Sequence, residues 1–214
     1  REPVIGQAVD ESQVTEEALA HACKILQAGG VVAFPTETYY GLAVDPFNQE
    51  ALARLFTLKG RSADKPVLLI IDNPSQLVNL AAEVPPPFAM LMKRFWPGPL
   101  TLVFPGTPSL PGMLTGRGGS VGIRVSSHPV ARQLVRAFGR PITATSANCS
   151  GQPAAVTACG VRNQLGPGLD AVIDGGKTPG GQGSTLLGYH GGKVCLLRAG
   201  VIPFAEIEAA LTGI

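Results

Sequence analysis

Apolar positions recur along the chain with two periods, and the period assigns each segment. Leu19, Ala22, Cys23 and Leu26 fall at i, i+3, i+4 and i+7, one stripe of a helix that Thr15 caps and Gly29-Gly30 stops. Residues 31–34 (Val-Val-Ala-Phe) are wholly apolar and read as a strand buried on both faces, so Pro35-Thr36-Glu37-Thr38 is the loop leaving its carboxyl end. Asn48 caps a second helix with Leu52, Leu55 and Phe56 inward, ending near Lys59-Gly60-Arg61. Residues 66–71 predict a strand, 88–95 a helix after the break Pro85-Pro86-Pro87, and 100–104 a strand after the turn Trp96-Pro97-Gly98-Pro99. Residues 107–119, rich in Gly and Pro, predict a long surface loop. A strand over 120–125 follows, then a helix with Val130, Ala131, Leu134, Val135 and Phe138 on one face. The segment 141–145 is a strand running into Ser146-Ala147-Asn148. Strands over 171–173, 185–187 and 193–197 and a closing helix over 204–211 complete the pattern. Helices and strands interleave without a repeat or a linker-like break in composition, which predicts a single α/β domain over 1–214 with a mixed sheet.

Composition narrows the class. The chain has 214 residues, 45% hydrophobic and 15% charged, which excludes a disordered segment or a coiled coil. Its longest apolar runs, such as 67–71, are far shorter than the ~18 residues of a membrane-spanning helix. Cys23, Cys149, Cys159 and Cys195 form no CxxC pair and lie in no His-rich neighbourhood, which argues against a zinc site and a disulfide scaffold; buried, reduced thiols in a cytoplasmic protein are the expectation. No signal-peptide pattern opens the sequence.

Charge changes the picture more. Formal net charge is only +2, yet no acidic residue lies between Glu83 and Asp170, a stretch that holds Lys93, Arg94, Arg117, Arg124, Arg132, Arg136, Arg140 and Arg162. A surface built this way draws anions: a nucleotide, another phosphorylated ligand, or an RNA backbone.

Standard chemical motifs are missing. Gly175-Gly176-Lys177-Thr178 ends like a P-loop, but the glycine required five residues before Gly176 is Ala171. No GxGxxG or GxSxG is present, and His21, His128 and His190 are isolated, so a Ser-His-Asp or Cys-His hydrolase is excluded as a working reading. What remains is a set of segments rich in cations and hydroxyls, most of them at strand ends: Thr36-Glu37-Thr38, Lys59-Gly60-Arg61 with Lys65, Ser120 with Arg124, Ser146-Ala147-Asn148, Ser184 and Arg198. In α/β sheets, ligands collect outside the carboxyl ends of strands, where cations neutralise phosphate and short hydroxyls fix its geometry.

These segments resemble a known family. The strings Pro35-Thr36-Glu37-Thr38-Tyr39-Tyr40-Gly41-Leu42, Lys59-Gly60-Arg61, Trp96-Pro97-Gly98-Pro99-Leu100-Thr101, Gly122-Ile123-Arg124-Val125, Thr145-Ser146-Ala147-Asn148-Cys149-Ser150-Gly151, Ile173-Asp174-Gly175-Gly176, Gly183-Ser184-Thr185 and Leu197-Arg198-Ala199-Gly200 occur in the order found in the YrdC/TsaC family of threonylcarbamoyl-AMP synthases. The resemblance covers about residues 15–204, and the joint presence of KGR and SAN is characteristic of the synthase branch. It implies a YrdC-like twisted α/β fold around a large, positively charged concave cavity. It also implies a nucleotidyltransfer in which L-threonine, bicarbonate or CO2, and ATP give threonylcarbamoyl-AMP and diphosphate, for the t6A modification at position 37 of tRNA.

Carried over position by position, Thr36, Thr38, Arg124 and Ser184 match threonine contacts. Lys59, Arg61, Lys65, Ser120, Ser146, Asn148 and Arg198 match the ATP side, with Lys59 and Arg61 as the catalytic pair. Mg²⁺ is expected to ride on the phosphates rather than in a protein cage. Protein partners of the t6A pathway, and tRNA or double-stranded RNA, are implied partners; a membrane is not. A histidine that some members use near threonine is Ile70 here, and the expected form is the short one, without the C-terminal domain of longer members. Two other readings fit the same residues: a non-catalytic RNA-binding module, and a carbamoyl-adenylate-forming relative of the same fold.

Overall fold

Local signals build the elements that frame the site. The computed structural model describes residues 14–62 and 66–213. Helix α1 spans Glu16–Gln27; the Thr15 hydroxyl accepts the Ala18 N–H at 3.2 Å, and Glu16 and Glu17 complement the dipole in the first turn. Helix α2, Gln49–Lys59, starts where Asn48 Oδ1 accepts the Ala51 N–H at 3.0 Å. It ends at Gly60, whose φ of +59° belongs to the left-handed region and turns the chain towards Arg61.

The described strands form two mixed sheets where the sequence predicts one. β1 (Val32–Phe34), β2 (Gly41–Ala43), β7 (Thr145–Ser146) and β8 (Ala171–Val172) make a four-stranded sheet in the order β7-β2-β1-β8. β3 (Leu68–Ile70), β4 (Leu100–Pro105), β5 (Ser120–Arg124), β6 (Ile142–Thr143), β9 (Thr185–His190) and β10 (Lys193–Arg198) make a six-stranded sheet in the order β10-β9-β4-β5-β3-β6. Each sheet has parallel and antiparallel pairs. The predicted strand over 141–145 is in fact the joint between them. Residues 142–143 pair with β3, Ala144 donates to the Leu68 carbonyl at 2.8 Å, and residues 145–146 pair with β2. Thr143 locks this joint: its buried hydroxyl accepts the Val44 N–H and donates to the Leu42 carbonyl, both at 2.8 Å.

Two apolar clusters hold the layers. One joins Ala33 and Leu42 of the small sheet to Leu69, Leu102, Phe104 and Ile123 of the large one. It also takes in Phe88 of α3 (Pro86–Phe95) and Val161 of α6 (Ala158–Leu165). The other packs Leu19 and Leu26 of α1 and Leu134 and Phe138 of α5 (Pro129–Phe138) onto Phe34, Ile70 and Ile142. Side chains of this size contribute roughly 1.5–3 kcal/mol each when fully buried. Ile70 is fully buried in this second cluster, so the residue at the family's histidine position packs the core.

Further sequence expectations need correction. The 107–119 loop contains the helical turn α4 (Gly112–Thr115), and Leu110 and Leu114 are buried, so the segment is pinned to the core instead of lying wholly at the surface. Strand β2 and helix α6 were not foreseen: β2 is three residues that begin at a glycine, and α6 carries Gly160 and ends at Gly166. Of the four cysteines, all free, only Cys23 is buried; Cys159 is exposed and the other two are half-buried. The closing helix α7 spans Phe204–Thr212. No helix among the described residues is long and apolar enough to cross a membrane.

Candidate active site

A cleft of about 590 Å³ opens where the two sheets part. Its floor is the large sheet, with Leu68, Val103, Gly122 and Leu186 facing it; its other walls are the β1–β2 loop, residues 144–146, and residues 181–184. β5 sets the alternation: Val121 and Ile123 enter the core while Gly122 and Arg124 face the cleft.

At one end stand the β1–β2 loop hydroxyls. Thr36 and Thr38 are buried. The Thr36 hydroxyl donates to the Tyr39 carbonyl at 2.6 Å and accepts the Thr38 N–H at 3.2 Å, so of the two hydroxyls, 3.1 Å apart, Thr38 is the donor. Tyr40 ties this loop to the glycine-rich segment that follows β8. Its hydroxyl donates to the Gly176 carbonyl at 2.7 Å and accepts the Gly175 N–H at 3.2 Å, and burial pushes its pKa up to about 12. Gly180 adds a bond to the Thr38 carbonyl at 2.7 Å.

Arg124, at the end of β5, is buried beside Glu37, with Nε 3.6 Å from Oε1. Arg198, at the end of β10, donates to the Ser184 carbonyl at 2.8 Å and to Ser184 Oγ at 3.2 Å. Burial, and then the neighbouring Arg124 charge, push Arg198 below its ordinary value. The buried Ser184 hydroxyl is 2.7 Å from that of Thr101. The chain after Arg198 lies directly against this loop: a Cβ on Gly200 would stand 2.4 Å from both the Gly183 carbonyl oxygen and the Thr185 nitrogen. Across the cleft, Arg61 donates to the Pro66 carbonyl at 2.7 Å, and burial lowers its pKa as well.

Of the sequence candidates, the cleft wall thus gathers Thr36, Thr38, Arg61, Arg124, Ser146, Ser184 and Arg198. Lys59 and Asn148 stand behind the wall. The buried Lys59 ammonium donates to the Ser146 carbonyl, to the Asn148 carbonyl at 3.0 Å and to Asn148 Oδ1 at 3.1 Å, while Ser146 Oγ donates to the same Oδ1 at 2.7 Å. Burial and the nearby Arg61 charge lower the Lys59 pKa from 10.5 to about 8. Ser120 shares a face with Gly122 and Arg124 but occupies the far end of β5, outside the wall. Lys65 lies outside the described residues. Sequence reasoning missed Thr145, which lines the cleft with a buried hydroxyl that has no hydrogen-bond partner among the described residues, and Tyr39. The signal for Thr145 was its place at the head of the string 145–151, directly before Ser146.

The donor set is guanidinium, hydroxyl and backbone amide. Glu37 lies outside the cleft wall, in a neighbouring pocket beside His128 and Lys177; it receives the Ser126 hydroxyl and faces Arg124, and the described residues contain no cluster of three potential metal ligands. These side chains do not fit a resident divalent cation.

Known proteins are similar to this chain in sequence and fold. The chain is 40% identical to the threonylcarbamoyl-AMP synthase of Pyrococcus abyssi over 93% of its own length and 58% of the relative's. It is also 40% identical to that of Bacillus subtilis over 94% and 59%. The chain therefore spans less than two thirds of these relatives. The crystal structure of P. abyssi Sua5 complexed with L-threonine superposes with a TM-score of 0.89 at 40% identity, covering 93% of this chain and 58% of that one. The family model Sua5_yciO_yrdC, described as Telomere recombination, matches residues 24–200, and the chain belongs to that family.

Proposed function

We propose that this chain catalyses formation of threonylcarbamoyl-AMP from L-threonine, bicarbonate or CO2, and ATP, releasing diphosphate. The observation that carries the reading is the cleft itself. Three guanidiniums and a ring of small hydroxyls converge between the two sheets, in a chain 40% identical over most of its length to synthases of that name.

The chemistry suits such a site. The threonine amine attacks CO2 and loses a proton to give a carbamate; a carbamate oxygen then attacks the α-phosphorus as the bond to diphosphate breaks. Neither step needs a protein nucleophile, so positioning and charge neutralisation supply the catalysis. On this reading Thr36, Thr38, Arg124 and Ser184 hold threonine, while Arg61, Arg198, Ser146, Lys65 and Ser120 hold the triphosphate. Lys59 and Asn148 act from behind by fixing the turn that carries Ser146. Mg²⁺ arrives on the phosphates. The product serves the t6A modification of tRNA in the cytoplasm, with further proteins transferring it. The RNA-module alternative is weakened, because two of the outer arginines are paired: Arg136 with Asp72 at 3.1 Å and Arg140 with Asp45 at 3.0 Å.

Diphosphate release by the purified protein tests the reading. Release that requires ATP, threonine and bicarbonate together is expected; release independent of threonine or of bicarbonate contradicts it.

A further inference from the structure

The cleft is sorted by charge compensation. Among the described residues Arg61 and Arg198 donate only to carbonyls and a hydroxyl, whereas Arg124 faces a carboxylate. The Arg124 and Glu37 side chains are only 7% and 12% exposed, and Ser126 donates its hydroxyl to Glu37 Oε2. Arg124 Nε and Glu37 Oε1, 3.6 Å apart, have no hydrogen-bond partner among the described residues, so the pair is close enough to cancel charge without being locked.

An uncompensated guanidinium in a low-dielectric cleft attracts any anion in proportion to its charge. A guanidinium with a carboxylate at contact distance presents a dipole whose field falls off faster. It rewards a ligand that is itself close to neutral and brings a planar pair of oxygens to the exposed edge. A zwitterionic amino acid is such a ligand. A diphosphate or triphosphate is not, because its remaining charge is repelled by Glu37.

We propose that Glu37 is a specificity-determining residue: by compensating Arg124 it reserves that end of the cleft for the zwitterionic amino acid and keeps the phosphates on Arg61 and Arg198. Ser126 is its positioning residue, aiming the carboxylate at Arg124. This inference rests on the reading of the cleft as a site for both ATP and an amino acid.

The test is calorimetric titration of L-threonine, with and without inorganic diphosphate, into the wild-type protein, Glu37→Gln and Ser126→Ala. In the wild type, diphosphate leaves the threonine dissociation constant unchanged. In Glu37→Gln, threonine binding weakens about tenfold, the scale of one lost buried charge partner, and diphosphate now competes with threonine. Ser126→Ala moves in the same direction by a smaller factor and covers the case in which Glu37→Gln does not fold. A variant that melts like the wild type, binds threonine equally well and still excludes diphosphate overturns the proposal. A wild-type protein that binds no threonine removes the reading beneath it instead.

Discussion

Arginines on the outside of the molecule and arginines in the cleft live under opposite conditions. Arg54, Arg136 and Arg140 each reach a carboxylate, on Asp170, Asp72 and Asp45, at 2.9–3.1 Å, and their side chains remain about half exposed or more. Arg61 is half-buried and Arg198 more exposed, but neither has a carboxylate among its described partners, which are the Pro66 carbonyl and the carbonyl and hydroxyl of Ser184. An exposed ion pair is worth little because water already solvates both charges. A cation drawn partly out of water with no counter-ion among its described partners carries a desolvation cost continuously; that cost lowers the pKa of Arg61 and, together with the nearby Arg124 charge, that of Arg198. Such a cost persists in a folded protein where something else offsets it, and the arriving phosphates are that offset.

Several substitutions would break or sharpen this contrast. The largest effect is expected from Arg61→Ala and Arg198→Ala. Each deletes a charge-assisted phosphate contact of roughly 1.5–3 kcal/mol, a loss of about 10- to 150-fold in ATP affinity and in the rate of diphosphate release. Arg61→Ala leaves the melting temperature close to that of the wild type, which separates lost function from lost fold.

Next comes Tyr40→Phe. Removing the hydroxyl strands the Gly175 N–H and the Gly176 carbonyl, at roughly 1–3 kcal/mol. Thermal melting is expected to fall by several degrees, with threonine affinity falling alongside as the loop after β8 detaches from Thr38.

Lys59 gives a pH signature. Its ammonium loses its proton near pH 8 in the folded protein but near 10.5 when unfolded. Between those values the unfolded chain binds the extra proton, so this residue's contribution to stability rises with pH. In Lys59→Met that rise is absent, and the melting difference between the two proteins changes in the wild type's favour from pH 8 to pH 10. An unchanged difference across that window removes the buried-ammonium reading.

The smallest effects belong outside. Arg136→Ala and Arg140→Ala each cost less than about 1 kcal/mol of stability and leave turnover unchanged.

Much of this was legible in the sequence where local rules govern. Thr15 and Asn48 cap the helices they were expected to cap, and the 31–34 run is a buried strand. The cleft arginines could be named by resemblance to a family, but the state of each could not. Arg140 meets Asp45 and Arg136 meets Asp72 across long stretches of chain, so the acid-free segment overstated the unpaired positive charge at these two positions. Lys59 sits beside Arg61 in sequence, yet the final turn of α2 sends it behind the wall while the left-handed Gly60 carries Arg61 into the cleft. The change of sheet at Ala144 also left no mark, because residues 141–146 keep an extended pattern on both sides of the joint.

ATP titration by calorimetry, comparing the double variants Arg61→Ala/Arg198→Ala and Arg136→Ala/Arg140→Ala with the wild type, tests the central claim most directly. The account expects binding to be nearly abolished in the first and unchanged in the second. Equal affinity in the first variant and the wild type, or a comparable loss in the second, would contradict it.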